Sequence, residues 1–340
     1  MILMILVPVL VFALIVLVHE GGHFLFAKLT GMRVEEFSIG FGPKIGSFKK
    51  GETLYSLRII PLGGFNRISG MELKDSDDPK AFSNRPIWAK LLVISAGSLF
   101  NMLLAFFIFF GIYLCAGYQT FPNLPVVGEV LEGTSAANKG IQKGDKIISV
   151  NDIPINTWTD IGDAVEKQDH RVIPVMIEHE GQIKRLDILL TDSQSERPII
   201  GISPYMVHHD ANFVESVNLS AKHCIQLIKM MAVGLLELFH GHQAEIAGPI
   251  GVARMSTQVA GLGFIPLLAF IALLSMNLGF LNLLPVPLLD GGVLVLTILE
   301  GISGHKLPEK TLYYIQIAGV TVLLTLFIFA MFNDISDLLK

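Results

Sequence analysis

Residues 19–23, with the sequence HEGGH, combine two histidines with a glutamate. If the segment is helical, His19 and His23 are one turn apart, and both imidazoles can bind the same metal ion. Glu20 can then contact a water molecule on that ion. Zinc lowers the pKa of such a water to about 7, and a neighbouring carboxylate can accept its proton as a general base. The motif therefore predicts a hydrolytic zinc centre.

A catalytic zinc site usually has a third protein ligand and one open position. The longer pattern, with a third histidine ten positions after the first, is excluded because Leu29 occupies that position. Asp290 is a better candidate, since it is the only acidic residue between Glu245 and Glu300. Glu20 and the two histidines lie in a long apolar helix, where such residues are costly and usually mark function.

The stretch NLLPVPLLDGG, which contains Asp290, predicts a broken helix. Pro285 and Pro287 remove backbone donors and interrupt the helix, while Gly291 and Gly292 permit a close turn. Irregular backbone at membrane depth is tolerated only where it is buried in protein or lines a wet cavity. The alternative is a proline-kinked packing helix in which Asp290 is a cap.

Long apolar runs place these candidate residues in a membrane. The chain has 340 residues, of which 51% are hydrophobic and 16% are charged, whereas soluble domains carry roughly a quarter of charged residues. A helix needs about 20 apolar residues to cross the hydrocarbon layer. Four such runs predict four transmembrane helices, at residues 1–27, 91–117, 264–284 and 312–332.

The charge of the loops predicts the orientation. Residues 28–90 carry eleven basic side chains, so the positive-inside rule places this loop in the cytoplasm. Both termini and residues 118–262 are then extracytoplasmic.

A cleaved signal peptide is the alternative for residues 1–18, but no basic residue precedes the apolar core and no small-residue cleavage site follows it. A net charge of −5 gives no reason to expect nucleic-acid binding.

Residues 125–192 alternate short β-prone runs with turn signals and contain one short helical pattern at residues 157–168. The stretch VVGEVLEGTSAANKGIQKGDKIISVNDIPINTWTDI resembles a PDZ domain of the bacterial protease type. The features that match are the small-residue helix ending at Gly140, the Gly144-Asp145 turn and the strand ending in Asn151. PDZ domains typically add an extended peptide to a sheet edge. The alternative is a generic small β domain.

The HEGGH motif and the Asn-x-x-Pro-x-Pro-x-x-Asp-Gly-Gly pattern together resemble the site-2 proteases, which are intramembrane zinc metalloproteases. The inserted PDZ-like segment resembles the bacterial branch that cleaves anti-sigma factors and membrane-retained peptide remnants. The resemblance covers essentially the whole chain. It departs in the number of PDZ domains, because the best-known members of that branch carry two.

The resemblance implies a role for each matching residue. His19, His23 and Asp290 would bind zinc, and Glu20 would be the general base. Substrate contacts are implied for Asn277, Asn282, Gly40, Gly42, Gly63 and Gly64, of which the two asparagines would reach the substrate backbone or the developing oxyanion.

Residues 37–48 and 54–65 also match this family, in which they form strands that dip into the membrane from the cytoplasmic side. A transmembrane helix must unwind to be cut, and its amides then need new partners in hydrocarbon. A strand edge beside the zinc would supply them. The alternative is an ordinary cytoplasmic hairpin.

The predicted fold is a polytopic α-helical membrane protein with four transmembrane helices, a membrane-associated β-hairpin region and an inserted extracytoplasmic PDZ domain, which is β-rich α+β. Residues 201–261 are expected to connect this domain to the membrane through a surface amphipathic helix or a packing helix. The predicted organisation is a first membrane-core segment at 1–120, the PDZ domain at 121–200, the connecting segment at 201–261 and a second membrane-core segment at 262–340.

We therefore expect a multi-pass zinc endopeptidase of the bacterial cytoplasmic (inner) membrane, with its active site toward the cytoplasm. Its partners would be the lipid bilayer, a peptide end at the PDZ domain and a single-span substrate, such as an anti-sigma factor or a signal-peptide remnant, already cut outside. The alternative is an inactive, metal-stabilised scaffold that binds peptides. The intact Glu20 argues against it, because a structural site needs no base. A transporter would predict broken helices in both halves.

Overall fold

The computed structural model describes residues 2–71, 77–166, 172–192, 198–239, 248–305 and 307–339. The chain forms two compact units. The membrane unit comprises Met1–Cys115 and Asn212–Lys340, and the inserted unit comprises Ala116–Ala211.

The described residues contain nine α-helices and twelve β-strands. The helices are α1 (Ile2–Leu29), α2 (Ile87–Ala116), α3 (Ser135–Asn138), α4 (Trp158–Glu166), α5 (Phe213–Phe239), α6 (Pro249–Gly261), α7 (Phe264–Asn282), α8 (Asp290–Ser303) and α9 (Glu309–Leu339). The strands are β1 (Val34–Lys50), β2 (Thr53–Ile68), β3 (Tyr118–Thr120), β4 (Val127–Val130), β5 (Lys146–Val150), β6 (Ile153–Pro154), β7 (Val172–His179), β8 (Gln182–Leu189), β9 (Thr191–Asp192), β10 (Pro198–Ile199), β11 (Ile202–Pro204) and β12 (Val207–His209).

Helix α2 runs antiparallel to α1 in the middle of the membrane unit. His19 of α1 contacts the side chain of Asn101, whereas His23, one turn further along α1, bonds to the carbonyl of Val93, which lies two turns earlier on α2. Both helices are almost wholly apolar, as a membrane-spanning helix must be.

Helix α7 is also antiparallel to α2. The hydroxyl of Ser275 donates to the carbonyl of Asn101 over 2.8 Å, and Gly279, one turn later on α7, lies against Ser98. A Cβ atom at Gly279 would be 2.7 Å from the Ser98 carbonyl oxygen, so the glycine lets the two backbones approach closely. Helices α1 and α7 are therefore parallel, and α7 begins at the end of this group where α2 finishes.

The broken helix predicted around the two prolines is present. Helix α7 ends at Asn282 and α8 begins at Asp290, with non-helical backbone between them. Leu288 has a φ of 78°, which is unusual for a residue with a side chain. Gly291 is required here because a Cβ atom would overlap the carbonyl oxygens of Leu283 and Leu284. The break leaves Asp290 at the N-terminus of a new helix.

Strands β1 and β2 are both bent, and their pairing produces a sheet of four antiparallel segments. The order across the sheet is 64–68, 34–39, 54–57 and 46–50. Gly40 and Gly42, with φ values of 89° and 82°, lie at the bend of β1, in a backbone conformation that favours glycine. The strands predicted at 37–48 and 54–65 both belong to this sheet.

The inserted unit is rich in β-structure. Its main sheet is antiparallel, in the order β6-β5-β7-β8, and α3 and α4 contribute to the same apolar core. Fully buried residues of this core include Val127, Ile147, Val150, Ile173, Val175, Ile177 and Ile188. Because β11 pairs with β4 and β12 pairs with β3, the compact unit extends beyond the interval 121–200 on both sides.

Five helices of the described residues are long and apolar enough to cross a membrane. Four coincide with the predicted spans, namely Leu6–Leu29, Ile87–Ala116, Phe264–Asn282 and Lys310–Ser336. The fifth, Phe213–Glu237, belongs to α5, for which the sequence allows a surface or a packing helix. Its residues Cys224 and Leu227 are buried in one apolar cluster with residues of α2 and α7, so α5 packs against the helical core.

Candidate metal centre

His19, His23 and Asp290 converge on one point in the membrane unit. The two Nε2 atoms are 3.3 Å apart, and the Oδ2 atom of Asp290 lies 3.3 Å from Nε2 of His19 and 3.4 Å from Nε2 of His23. One ligand atom from each residue fits within 4.8 Å of the others. Within the stretch of chain that the structure describes, this is the one group of three such residues with metal-binding spacing.

The local structure explains this convergence. The two histidines are four positions apart on α1 and therefore share one face. Asp290 is the first residue of α8, so its carboxylate extends from a helix N-terminus that the prolines create. Both histidines are buried, with 8% and 7% of their surfaces exposed.

Helix α2 contacts all three of these side chains. Nδ1 of His23 donates to the carbonyl of Val93 over 2.7 Å, which leaves its Nε2 free as a ligand atom. The hydroxyl of Ser98 donates to Oδ2 of Asp290 over 3.2 Å. The side-chain amide of Asn101 lies 3.4 Å from Nδ1 of His19. Such outer partners orient the ligands of protein metal sites.

The surroundings of Asn101 test whether these residues fit a zinc ion. Asn101 is fully buried, and its Oδ1 atom has no hydrogen-bond partner among the described residues. If Nε2 of His19 binds a metal, its Nδ1 carries a proton and must donate. Rotating the Asn101 amide by a half-turn brings Oδ1 to that proton, so that Oδ1 of Asn101 and Nδ1 of His19 form a hydrogen bond with each other. The two nitrogens and one carboxylate oxygen are also a ligand set that zinc accepts.

Glu20 is anchored by a residue from the sheet. The Nδ2 group of Asn66 donates to the backbone carbonyl of Glu20 over 2.6 Å and to its carboxylate Oε2 over 2.8 Å. Asn66 lies in segment 64–68, and Gly64 of the same segment also adjoins Glu20, since a Cβ there would be 3.3 Å from the Glu20 Cγ atom. The candidate base therefore lies between the metal-binding helix and the sheet.

The remaining predicted substrate residues occupy two places. Asn277 and Asn282 are half-buried on α7, and Asn282 is its last residue, just before the break. Gly63 lies against the ring of Phe41, next to Gly64. Gly40 and Gly42 contact other regions of the sheet, chiefly the backbone of Arg58 and Ile60 and the side chains of Ile59 and Ile60. Of the four glycines, Gly64 is the one whose nearest neighbours include Glu20.

Glu36, the third residue of β1, does not belong to the group of candidate metal ligands. It is buried in the sheet and accepts hydrogen bonds from Ser56 and Arg58, at 2.7 and 2.8 Å, beside the ammonium of Lys44. Burial alone would raise the pKa of Glu36, but the hydrogen bonds from Ser56, Arg58 and Lys44 lower this pKa to about 2. The group is therefore ionised at neutral pH and links β1 to β2.

Three contacts of the site, those of Val93, Ser98 and Asn66, are absent from the sequence-based predictions. Val93 contributes only a backbone carbonyl, which every residue has. Ser98 is one of several small residues in α2, and Asn66 is one polar residue in a strand. Their importance follows from which distant side chain each one contacts, and residue type and local spacing carry no signal of that.

The fold and this site together define a membrane-embedded metallopeptidase. The model of peptidase family M50 matches residues 7–326, and the chain belongs to this family, that of the site-2 proteases. It is a metalloprotease.

Three named relatives each align with nearly the whole chain. The regulator of sigma-W protease RasP of Bacillus subtilis is 27% identical over 413 aligned positions, covering 97% of each chain. The zinc metalloprotease RasP of Bacillus licheniformis is 26% identical and covers 97% of this chain and 98% of its own. A protein of Clostridium acetobutylicum that is named provisionally as a zinc metalloprotease is 33% identical, with 97% of both chains covered.

Among solved structures, two PDZ domains match a portion of the chain. The PDZ domain of an SdrC-like protein from Listeria monocytogenes is 22% identical, covers 26% of this chain and 97% of its own, and has a TM-score of 0.22. The corresponding domain from Listeria innocua is 23% identical, with a TM-score of 0.23.

Proposed function

We propose that the protein is a zinc-dependent intramembrane endopeptidase of the bacterial inner membrane, which cleaves single-span membrane proteins. The observation that carries the proposal is the convergence of His19, His23 and Asp290 within 4.8 Å, with Glu20 beside them. The two histidines lie on α1, which is apolar enough to cross a membrane, and Asp290 begins α8. A carboxylate that is not a ligand has no purpose at a structural metal site.

The chain's own residues account for the proton transfers. A zinc ion held by the two histidines and Asp290 would act as a Lewis acid toward water and the scissile carbonyl. Glu20 takes a proton from the attacking water as its oxygen bonds to the carbonyl carbon. The C–N bond then breaks, and Glu20 passes that proton to the leaving nitrogen. Asn277 and Asn282 would contact the substrate backbone or the developing oxyanion.

The sheet beside Glu20 is suited to an extended substrate. Segment 64–68 pairs on one side with 34–39, and on its other side no strand of the described residues pairs with it. A substrate segment unwound from its helix could add to this sheet and satisfy its own amides. The sheet also exposes large apolar side chains, between 46% and 65% of their surfaces, which suits insertion into lipid: Phe41, Ile45, Phe48, Leu57, Ile59 and Ile60.

We infer four complete spans. Because α2 and α7 are antiparallel neighbours, the chain between them must cross the membrane an even number of times. Helix α5 is the least apolar candidate, and α6, with 13 residues, is about 20 Å long and too short to return through a hydrocarbon layer of about 30 Å. Helix α5 then enters the helical group without crossing, the inserted unit is extracytoplasmic, and the basic loop at 28–90 is cytoplasmic.

The substrate would be a membrane protein already trimmed outside. One relative is named as a regulator of sigma-W protease, which suggests an anti-sigma factor, and a signal-peptide remnant has the same single-span form. We infer that the inserted unit is a PDZ domain that either excludes untrimmed ectodomains or binds the new peptide end.

The proposal is tested with detergent-purified protein and a synthetic single-span peptide of about 20 apolar residues with a central Asn-Gly pair, which weakens its helix. We expect cleavage near that pair, loss of cleavage with a chelator and recovery with zinc. Glu20→Gln should keep its zinc and lose cleavage, whereas the control Glu35→Gln, at an exposed position of β1, should behave as wild type. Full cleavage by Glu20→Gln would refute the mechanism, and zinc binding without any cleavage would favour the scaffold.

A further inference from the structure

We propose that Asn66 is a positioning residue that holds Glu20 in the orientation required for proton transfer. The inference rests on the proposed function of Glu20 as the general base. Asn66 belongs to the sheet and Glu20 to α1, and 46 positions separate them. One amide group of Asn66 bonds to both the main chain and the side chain of Glu20.

The chemistry of the contact determines which way the Asn66 amide faces. Both atoms of Glu20 that face it, the backbone carbonyl oxygen and the carboxylate Oε2, can only accept hydrogen bonds when the carboxylate is ionised. The NH₂ group must therefore face Glu20, and the two protons of Nδ2 match the two acceptors. A reversed amide would place three oxygen atoms against one another.

This orientation leaves a polar atom of Asn66 unsatisfied. Its Oδ1 is buried and has no hydrogen-bond partner among the described residues. Buried polar atoms without partners are uncommon and unfavourable in folded proteins. A leucine of similar size would avoid that cost, so a residue kept only for packing has no reason to be asparagine here. The feature is explained if the site requires the two hydrogen bonds that Nδ2 of Asn66 donates to Glu20.

The strand presents a surface shaped to Glu20. Gly64 and Asn66 are two positions apart and therefore point to the same side of their strand. The absence of a side chain at Gly64 leaves room for Glu20, because a Cβ atom there would lie only 3.3 Å from the Glu20 Cγ atom. Asn66 supplies the hydrogen-bond donors. A glutamate has three rotatable side-chain bonds, so two hydrogen bonds from a fixed strand restrict it strongly. Good catalytic geometry requires such restriction.

The contact also links base orientation to the sheet. We place the unwound substrate against this same segment, so a shift of the segment relative to α1 would move the Asn66 amide and with it Glu20. Glu20 would then be oriented for proton transfer only when segment 64–68 is in its position beside α1.

The test compares four variants on the synthetic peptide described above. Asn66→Leu keeps the size but removes the donors, Asn66→Asp keeps the shape but replaces the donors with acceptors, and Asn66→Gln retains an amide. Arg67→Gln is the matched control, on the exposed neighbouring position of the strand. We expect Asn66→Leu and Asn66→Asp to lower kcat at least tenfold with KM and zinc affinity within twofold of wild type. Asn66→Gln should recover some of the loss, and the control should match wild type.

A kcat within twofold of wild type for both Asn66→Leu and Asn66→Asp would overturn the proposal, as would a loss confined to KM or zinc affinity. If Asn66→Leu does not fold, Asn66→Asp carries the same comparison. A double-mutant cycle on the melting temperature of the zinc-loaded protein, with Glu20→Ala and Asn66→Leu, requires no cleavage. If the two substitutions are coupled but the wild-type protein does not cleave the peptide, the proposed function is refuted and the contact between Asn66 and Glu20 stands. If their effects on the melting temperature are strictly additive, the contact itself is refuted.

Discussion

The hydroxyl of Ser98 lies 3.2 Å from Oδ2 of Asp290, although 192 positions separate the two residues. The same helix, α2, provides the Val93 carbonyl for His23 and the Asn101 amide for His19. One face of α2 therefore contacts every proposed ligand. We interpret α2 as the element that orients the metal site, while α1 and α8 supply the ligands themselves.

The Ser98 contact predicts a change in metal affinity. Ser98→Ala removes the one hydrogen bond from α2 to Asp290, and loss of an outer partner typically weakens metal binding 10–100-fold. We expect the zinc Kd, measured by competition with a chromogenic chelator, to rise about tenfold. Ser95→Ala is the control, since the Ser95 hydroxyl bonds to the Leu91 carbonyl of its own helix. An unchanged Kd in Ser98→Ala would show that Asp290 needs no such support.

Substitutions at Asn101 distinguish an acceptor from a packing role. If its carbonyl oxygen accepts the Nδ1 proton of His19, Asn101→Asp preserves the acceptor and Asn101→Leu removes it. We expect Asn101→Leu to weaken zinc binding by about 10–100-fold and Asn101→Asp to stay near wild type. Visible spectra of the cobalt-substituted variants report ligand geometry independently of activity. The reverse order of affinities would mean that the amide donates to His19, contrary to our interpretation.

The proposed ligands themselves could be predicted from the sequence because each has a local signal. Residues 19 and 23 lie one helical turn apart in an apolar run, and Asp290 is an isolated acid after Pro285 and Pro287. The orientation of these side chains could not be predicted in the same way. It depends on Ser98 and Asn66, whose partners lie on elements that are distant in sequence and are brought together only by packing.

Two features of the fold show a similar limit. Helix α5 has an intermediate hydropathy, so composition alone cannot separate a span from a helix packed on the core. Our proposal of four spans rests instead on the antiparallel arrangement of α2 and α7. In the sheet, the strands at 37–48 and 54–65 follow from the family resemblance, but the four-segment order does not. It follows from the bends of β1 and β2, of which only the glycines at 40 and 42 give a local sign.

The buried ion pair of Glu36 predicts a pH-dependent stability. Its pKa is about 2 in the folded protein, below the ordinary value of 4.5. The ionised group therefore contributes stability above about pH 4.5, and this contribution is lost as the pH falls toward 2. Glu36→Gln cannot ionise, so we expect it to lower the melting temperature at pH 7 by on the order of 5 °C.

The difference between wild type and Glu36→Gln should shrink as the pH is lowered from about 4.5 toward 2. Thermal unfolding in detergent at pH 7, 5 and 3 measures it. Glu35→Gln, at the exposed neighbouring position, should show no such trend. A difference that stays constant over this range would contradict the assignment of the low pKa to Glu36.

Removal of the inserted unit tests its proposed role as a filter. Thr120 of β3 pairs with Val207 of β12, so an Asn-Gly turn can replace residues 121–206 and close a two-residue hairpin. We expect this variant to cleave the trimmed model peptide as wild type does and to cleave, in addition, the same peptide carrying a folded extracytoplasmic domain. Cleavage assays with both substrates measure this. If the bulky substrate remains uncut while the trimmed one is cleaved, the unit does not act as a size filter.

The central claim is that His19, His23 and Asp290 together hold one zinc ion. Its most direct test is the zinc content of purified wild-type protein beside Asp290→Ala, with X-ray absorption at the zinc edge to identify the ligands. We predict about one zinc per chain, bound to two imidazoles and a carboxylate oxygen, and little or no zinc in Asp290→Ala. Equal zinc in both proteins, or a wild-type site without imidazole ligands, would contradict the account.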